Sequence, residues 1–243
     1  MTKVFIGTSG YNYKHWQGKF YPQNLPQRQW LEFYAKHFNT VELNVTFYRL
    51  PYENVFKGWY NRTPKNFKFV IKGSRFITHI KRLKDCEDAV ELFFKRACYL
   101  KDKLAGVLWQ MPPSFDYDFG RIRNFLALLK NWPQYLYSFE FRHKSWFNEK
   151  MVNLFNKYNV SICFADSPSY PAPEFTTGNF LYFRFHGGKT LYASRYSKEE
   201  LKEWALKIRR LKKNKKMVLV FFNNDAYGFA VKNALELKKL LSS

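Results

Sequence analysis

Eight short segments of the chain are rich in aromatic and β-branched residues, and several are nearly continuous apolar runs. Such runs are typical of parallel strands that are covered on both faces. The longer segments between them carry apolar residues at three- and four-residue spacing, which indicates amphipathic helices. The predicted strands are 3–8, 40–46, 67–72, 104–110, 135–141, 160–165, 180–186 and 217–222.

Helices are predicted in most of the intervals between these strands. Ser197 and Glu200 have the spacing of a capping box, which marks the start of one of them. The predicted helices are 26–38, 51–62, 84–101, 119–132, 147–158, 197–213 and 226–241.

Strands that alternate with helices over 243 residues predict a fold of the α/β class, a single TIM-type (β/α)8 barrel of parallel strands that spans residues 1–243 as one domain. The alternative is an open doubly wound sheet. It is disfavoured because no GxGxxG turn follows the first predicted strand.

The barrel prediction gives the polar residues at the ends of the strands a common location. In such barrels, the functional groups lie at the C-terminal ends of the strands and in the loops that follow. Burial of so many polar groups costs free energy unless they are paired or bind a ligand. The candidate residues are Thr8, Ser9, Glu42, Lys72, Arg75, His79, Gln110, Glu140, Arg142, Asp166, Arg184, His186, Asn223 and Asn224.

The segment "LYFRFHGG" illustrates the pattern. Arg184 and His186 alternate with apolar residues, so they share one strand face and are expected to point to the mouth of the barrel. Gly187 and Gly188 then allow a tight turn. The alternative for any single residue is a structural salt bridge, such as Glu42 or Glu140 with Arg142 or Arg184.

Charge and aromatic content extend this picture. Lys and Arg number 41 against 19 Asp and Glu, a net charge of +22, which favours an anionic partner such as nucleic acid. The densest basic run, 209–216, ends a predicted helix at the opposite face of the barrel and fits the helix dipole instead.

Aromatic residues near the mouth predict a wall for stacking on bases or sugars: Tyr11, Trp16, Tyr48 and Trp146.

Seven motifs together resemble one known family. They are "GTSGYNYKHWQGKFYP", "VELNVTFYRLP", "KGSRFITH", "LWQMPPSF", "FEFRHKSW", "YFRFHGG" and "FFNNDAYGFA", which extend from Gly7 to Ala230. The chain is similar to the YecE-like proteins, the domain of unknown function family 72. The resemblance implies a TIM barrel and no established activity. Tyr11 stands where that family often has Trp, which keeps an aromatic ring at the position.

Three functions remain open from the sequence. The first is binding, with or without hydrolysis, of a phosphate-bearing ligand such as nucleic acid. Arg142, Arg184, Lys72 and His79 would hold phosphate oxygens in this case. Glu42 or Glu140 would then act as general base, and His186 as general acid or phosphate ligand.

The second function is a glycoside- or sugar-phosphate-processing enzyme that uses Glu42 and Glu140 as its carboxylate pair. The third is a barrel that binds nucleic acid without turnover. No cofactor or metal is expected, since cations outnumber carboxylates at the predicted mouth. One divalent ion on Glu42, Glu140, Asp166 and His186 is the most that these residues allow.

Cellular location follows from what the chain contains. Its three cysteines, Cys86, Cys98 and Cys163, are odd in number and have no CxxC spacing, which is typical of a reducing compartment. No apolar run approaches the about 20 residues that span a bilayer. We therefore expect a cytoplasmic protein with no membrane partner.

Overall fold

The computed structural model describes residues 2–242, and its strands form one parallel sheet that curls into a nearly closed barrel. Neighbouring strands follow the order β1-β8-β7-β6-β5-β4-β3-β2. The prediction of a TIM-type (β/α)8 barrel is confirmed. The strands are β1 (Lys3–Thr8), β2 (Thr40–Leu43), β3 (Lys68–Lys72), β4 (Leu104–Gln110), β5 (Leu136–Glu140), β6 (Ser161–Asp166), β7 (Phe180–Phe185) and β8 (Met217–Phe222).

Helices lie between most of the strands and cover the outside of the barrel; within residues 2–242, no helix lies between β6 and β7. Capping side chains begin several of them: Asp118 accepts from the backbone of Arg121, and Asn148 accepts from that of Met151. The helices are α1 (Trp30–His37), α2 (Val45–Tyr48), α3 (Glu53–Asn61), α4 (Glu87–Ala97), α5 (Phe119–Leu129), α6 (Glu149–Lys157), α7 (Lys198–Leu211) and α8 (Phe229–Ser242).

The barrel closes at a seam between β1 and β2, where the pairing is sparse. A single parallel bridge joins Ser9 to Glu42, while every other neighbouring pair of strands makes a ladder of at least two residue pairs within residues 2–242, with a register shift at Phe69 and Val70 between β3 and β4. The two backbones approach closely beside this bridge. A Cβ atom on Gly7 would lie 2.3 Å from the carbonyl oxygen of Thr40, so only glycine fits there.

One predicted strand is shorter than its sequence pattern indicated. The segment 40–46 was predicted as a strand, but β2 ends at Leu43 and the short helix α2 begins at Val45. The hydroxyl of Thr46 donates to the carbonyl oxygens of Leu43 at 3.0 Å and Lys72 at 2.6 Å. These bonds fix a turn in a segment whose β-branched residues favour a strand.

The apolar residues form two layers, one inside the barrel and one between the strands and the helices. The inner layer contains Val70, Leu108, Cys163, Tyr182, Leu219 and Phe221. The outer layer is larger and rich in aromatic rings, such as Trp109, whose ring contacts those of Phe93 and Phe125. This filled interior leaves the ends of the strands as the place for polar groups.

None of the helices in residues 2–242 combines the length and the apolar character that a membrane crossing requires.

Removal of the cap at the start of α7 tests the local sequence signal. Ser197 accepts from the backbone N–H of Glu200 at 3.1 Å, and Glu200 accepts from that of Ser197 at 2.7 Å, which confirms the predicted capping box. We expect Ser197→Ala to lower the free energy of unfolding by about 1 kcal/mol in urea denaturation. Lys202→Ala, an exposed change in the same helix, is the control, and equal effects of the two changes would contradict the prediction.

Candidate functional site

A buried guanidinium lies between two carboxylates at the C-terminal end of the barrel interior. Arg184 on β7 donates from Nη1 to Glu140 Oε2 at 2.5 Å and from Nη2 to Glu42 Oε1 at 2.8 Å. Arg184 is 1% exposed and both glutamates are fully buried. The three residues come from β7, β5 and β2, so these ion pairs connect strands across the barrel.

Each carboxylate has further partners in the protein. Glu42 accepts from the hydroxyl of Tyr182 at 2.5 Å and from that of Ser9 at 2.7 Å. Glu140 accepts from Arg142 Nε at 3.0 Å. Burial would raise the pKa of Glu140, but the charges of Arg184 and Arg142 outweigh it and hold this pKa well below its usual value. Glu140 is therefore ionised, and both of its carboxylate oxygens are bonded to the protein.

His186, two residues beyond Arg184, faces the same cluster and is fully buried. Its Nε2 lies 3.4 Å from Glu140 Oε2, and its Nδ1 lies 3.1 Å from Asn223 Nδ2. Burial lowers the pKa of His186 despite the nearby carboxylate. The ring is therefore neutral near pH 7, and Nδ1 accepts from the amide of Asn223.

Arg142 extends from the buried cluster to the surface of the site. Its Nη2 donates to the hydroxyl of Tyr192 at 3.3 Å, and the ring of Tyr170 stacks on its guanidinium at 4.0 Å. These two aromatic side chains come from the loops after β7 and β6. They hold Arg142 in place and leave one edge of its guanidinium at the cavity described next.

A cavity of about 500 Å³ opens above the buried cluster. It lies at the C-terminal ends of the strands, where the sequence predicted the site, and its volume suits a small ligand. Its lining residues are Tyr13, His15, Asn44, Tyr48, Lys72, Gln110, Arg142, Arg184, Tyr192, Asn223, Asp225 and Ala226. We call it the central cavity.

Lys72 is the cation in the central cavity that has no carboxylate partner. It is 7% exposed, and its Nζ makes no hydrogen bond or ion pair to the described residues 2–242 and lies 4.0 Å from the centre of the Phe47 ring. Burial and then the charge of Arg184 lower the pKa of Lys72 to about 7. This lysine is therefore half protonated near neutral pH.

A histidine and a carboxylate meet at the rim of the central cavity. His15 Nε2 lies 3.0 Å from Asp225 Oδ2, and Trp16 Nε1 donates to Asp225 Oδ1 at 2.7 Å. Burial raises the pKa of Asp225 to about 6, although Trp16 and His15 oppose the shift. This pair connects the loop after β1 to the loop after β8.

The predicted site residues fall into three groups. The first group lines the central cavity: Tyr48, Lys72, Gln110, Arg142, Arg184 and Asn223. The second supports it from behind and does not reach it: Ser9, Glu42, Glu140 and His186. The third lies away from it: Thr8, Tyr11, Trp16, Arg75, His79, Trp146, Asp166 and Asn224.

Two of the predicted wall residues belong to the core, which corrects the sequence interpretation. Trp16 and Trp146 are both fully buried. Trp146 stacks on Phe141 with ring centroids 4.3 Å apart and donates to the carbonyl oxygen of Phe115 at 2.6 Å. Neither ring has a face available for a ligand, because apolar packing in this aromatic-rich chain uses both.

Three predicted polar contacts are also internal. The Thr8 hydroxyl donates to the carbonyl oxygen of Gly10 at 2.6 Å. Asp166 accepts from the hydroxyl of Tyr196 at 2.6 Å. Asn224 is fully buried and donates to Asn233 at 2.9 Å. These bonds satisfy groups that their place at the strand ends had marked as ligand donors.

The sequence interpretation did not name His15 and Tyr192, which line the central cavity. Both come from loops, where no periodicity predicts the direction of a side chain. Tyr192 has a positive φ of 62°. Its loop follows the Gly187–Gly188 pair, and the length of that loop was the one available signal.

Within residues 2–242, no group of three or more His, Cys, Asp or Glu side chains is arranged to hold a metal ion.

The fold and the site define a (β/α)8 barrel whose small polar cavity lies at the C-terminal ends of the strands. A sequence model of the family described as "Protein of unknown function DUF72" matches residues 5–243. The chain belongs to this family, as the seven sequence motifs indicated.

Proteins from three bacteria illustrate the relationship. The chain is 28% identical to the UPF0759 protein YunF of Bacillus subtilis over 98% of this chain and 94% of that protein. It is 34% identical to the UPF0759 protein YecE of Escherichia coli over 118 residues, which cover 48% of this chain and 43% of that one. The crystal structure of a DUF72 family protein from Thermotoga maritima has a TM-score of 0.87 and 32% identity, with 99% of this chain and 100% of that chain covered.

Replacement of Arg184 tests how far the buried cluster depends on it. We expect Arg184→Met to lower the free energy of unfolding by about 3–5 kcal/mol, because two carboxylates would lose their shared cation in a buried place. The control is Arg62→Met, which breaks an exposed pair with Glu32 and should cost less than about 1 kcal/mol. Urea denaturation of both variants gives the comparison, and a similar cost for the two would contradict the expectation.

The unpaired Lys72 predicts a stabilising substitution. Its pKa is about 7 in the folded protein and 10.5 ordinarily. Between pH 7 and pH 10.5, the unfolded chain therefore binds more protons than the folded protein. The charge thus costs folding free energy below pH 7, and the cost fades as pH rises from 7 towards 10.5. We expect Lys72→Met to raise the free energy of unfolding at pH 6 by about 2–4 kcal/mol, with a smaller gain at pH 9.

Another buried lysine provides the control for this measurement. Lys103 is 4% exposed and donates to the carbonyl oxygens of Tyr60 and Thr63, both at 2.6 Å. Lys103→Met leaves these acceptors unpaired and should destabilise the protein by about 1–3 kcal/mol. Destabilisation by Lys72→Met at pH 6 would show that the Lys72 charge is compensated.

Proposed function

We propose that this protein binds a small phosphate-bearing ligand in the central cavity, such as a nucleotide or the end of a nucleic-acid strand. The observation that carries the proposal is the position of Lys72, a buried cation that faces this cavity without an anionic partner. The proposal concerns binding, because the carboxylates of the site give no support for turnover.

The charges around the cavity support an anionic ligand. The negative charges of Glu42 and Glu140 are matched by the positive charges of Arg184 and Arg142, which lie within hydrogen-bonding distance of them. Among the buried groups beneath the cavity, Lys72 is then the unmatched cation; the other carboxylate of the lining, Asp225, lies at the rim against His15 and Trp16. Its lowered pKa corresponds to a cost of about 5 kcal/mol for the protonated form, and an anion beside Nζ would offset much of that cost.

The rest of the lining supplies neutral donors. The side chain of Gln110 is 3% exposed, lines the cavity, and makes no hydrogen bond to the described residues 2–242. Asn223, whose Nδ2 also donates to His186, adds a second amide to the lining, and Arg142 adds a planar guanidinium. Amide, guanidinium and ammonium donors around one small space suit the several oxygens of a phosphate group.

Exposed cations lie on several of the loops at the end of the barrel where the cavity opens. They would raise the local concentration of anions and speed their association at low salt. Those that follow β1, β3, β5 and β7 are Lys14, Lys19, Arg75, Lys144 and Lys189.

The alternative function, a glycoside- or sugar-phosphate-processing enzyme with Glu42 and Glu140 as its carboxylate pair, has less support. Such an enzyme needs one carboxyl group of the pair to donate a proton. Glu140 is ionised, because Arg184 and Arg142 hold its pKa well below the usual value against the effect of burial. Glu42 already accepts from three protein groups, on Ser9, Tyr182 and Arg184. The same saturation argues against general-base roles for these two residues.

Calorimetric titration of purified protein with inorganic phosphate and with adenosine 5′-monophosphate tests the proposal. At about 0.15 M salt, we expect Lys72→Met to weaken both about 10- to 100-fold, the effect of losing a charge-assisted hydrogen bond. Lys213→Met removes the same charge at the opposite end of the barrel and should leave both affinities unchanged. Equal effects of the two variants, or no binding to the wild type, would contradict the proposal.

Proton uptake gives a second readout from the same titrations. At pH 8 most Lys72 side chains are neutral, so an anion beside them should bind together with about one proton. The heat of binding in two buffers of different ionisation enthalpy reports this uptake. It should be absent in Lys72→Met, and uptake that persists in the variant would assign the proton to another group.

A further inference from the structure

A second cavity of about 510 Å³ lies beside the central cavity. The two share Tyr13, Asn44 and Tyr48 in their walls, so they are adjacent compartments of one face of the barrel. We call the second compartment the aromatic cavity. A ligand that lies across the shared residues would contact both compartments.

The two compartments differ in chemistry. Among the described residues that line the aromatic cavity, there is no Asp, Glu, Lys or Arg. Its walls carry four aromatic rings, and the remaining side chains are small, apolar or amide-bearing. The rings are those of Tyr11, Tyr13, Tyr48 and Trp59.

Hydrogen bonds fix three of these rings and leave the fourth open. Trp59 Nε1 donates to the hydroxyl of Tyr11 at 3.1 Å, and the hydroxyl of Tyr13 donates to the carbonyl oxygen of Ser9 at 2.6 Å. Tyr48 is 77% exposed, so most of its ring is accessible. An exposed ring beside fixed rings is a platform on which a planar group can stack.

Asn44 lies at the border of the two compartments and has an unused acceptor. Its Oδ1 is buried and has no hydrogen-bond partner within residues 2–242, while its Nδ2 contacts the carbonyl oxygen of Ser9 at 3.4 Å. A buried acceptor without a partner costs free energy. A ligand N–H group at this border would satisfy it once the Asn44 side chain rotated to bring Oδ1 to the surface of the cavity.

The two compartments are also linked through one side chain. The Nζ atom of Lys72 lies 4.0 Å from the centre of the Phe47 ring, and the Tyr48 ring packs edge-on against Phe47 with centroids 5.0 Å apart. The cation and the stacking platform thus lie on neighbouring sides of Phe47. A molecule with an anionic group at one end and a flat ring at the other fits this arrangement.

We infer that the aromatic cavity binds the base of a nucleotide whose phosphate group lies in the central cavity, an inference that rests on the proposed function. A base has a flat face for Tyr48 and N–H groups for Asn44, and its neutral ring suits a compartment without charged side chains. A sugar in the same place would leave most of its hydroxyl groups without partners, because the rings offer few acceptors.

Three probes distinguish binding in the central cavity from binding in the aromatic cavity: ribose 5-phosphate, adenosine and adenosine 5′-monophosphate. We expect Tyr48→Ala to weaken the adenosine and the monophosphate about 5- to 100-fold, the range for loss of one stacked base. Ribose 5-phosphate has no base to stack, so it should lose much less affinity for this variant than the two probes that carry a base. Tyr48→Phe keeps the ring and should restore affinity for the two probes that carry a base.

The control variant is Tyr52→Ala, because Tyr52 is 73% exposed, close in the chain, and outside the walls of both cavities. It should leave all three affinities unchanged. Equal binding of ribose 5-phosphate and the monophosphate, without binding of adenosine, would overturn the base site and leave the proposed phosphate site standing. Adenosine binding that depends on Tyr48, without ribose 5-phosphate binding, would support the base site and overturn the phosphate site. If none of the probes binds, both are wrong.

Discussion

The guanidinium of Arg184 is the group on which the rest of the site depends. It lies between two carboxylates that arrive from different strands, at a depth where water cannot screen any of the three charges. Each charge alone would be costly to bury, and together they are tolerable because both Nη atoms of the guanidinium and all four carboxylate oxygens are bonded. The same bonds determine which groups above the cluster are free. Both Nη atoms of Arg184 are bonded to glutamates and its buried Nε has no partner, so under the proposed function a ligand in the central cavity would bind mainly to Arg142, Lys72 and the amides.

The paired and the unpaired charges of the site also differ in their effect on stability. The paired groups connect β2, β5 and β7 and stabilise the end of the barrel. Lys72 does the reverse, since its charge is kept at a cost in a place where methionine would pack without one. Residues that reduce stability and face a cavity are typical of binding and catalytic sites. The geometry thus assigns different roles to two cations that the sequence presented as equivalent.

The sequence predicted much of this because the relevant signals are periodic. The predicted boundaries of β1, β4 and β8 agree with the structure, because continuous apolar runs leave little choice of conformation. The period-two alternation around Arg184 and His186 correctly indicated a shared face.

Features that depend on tertiary contacts could not be predicted from local sequence patterns. Trp16 and Trp146 resembled ligand-facing aromatics and are core residues, because composition does not reveal which face of a loop packs. The turn at Thr46 depends on a hydrogen bond to the carbonyl oxygen of Lys72 on the neighbouring strand, a contact that a local pattern cannot contain. The seam between β1 and β2, another tertiary feature, has a consequence for how the barrel opens. With a single bridge there, the facing edges of these strands should be the first part of the sheet to open, and their amide hydrogens the first to exchange with water. Glu42 belongs both to that bridge and to the ion pair with Arg184. Opening of the seam between β1 and β2 should therefore also disturb this ion pair.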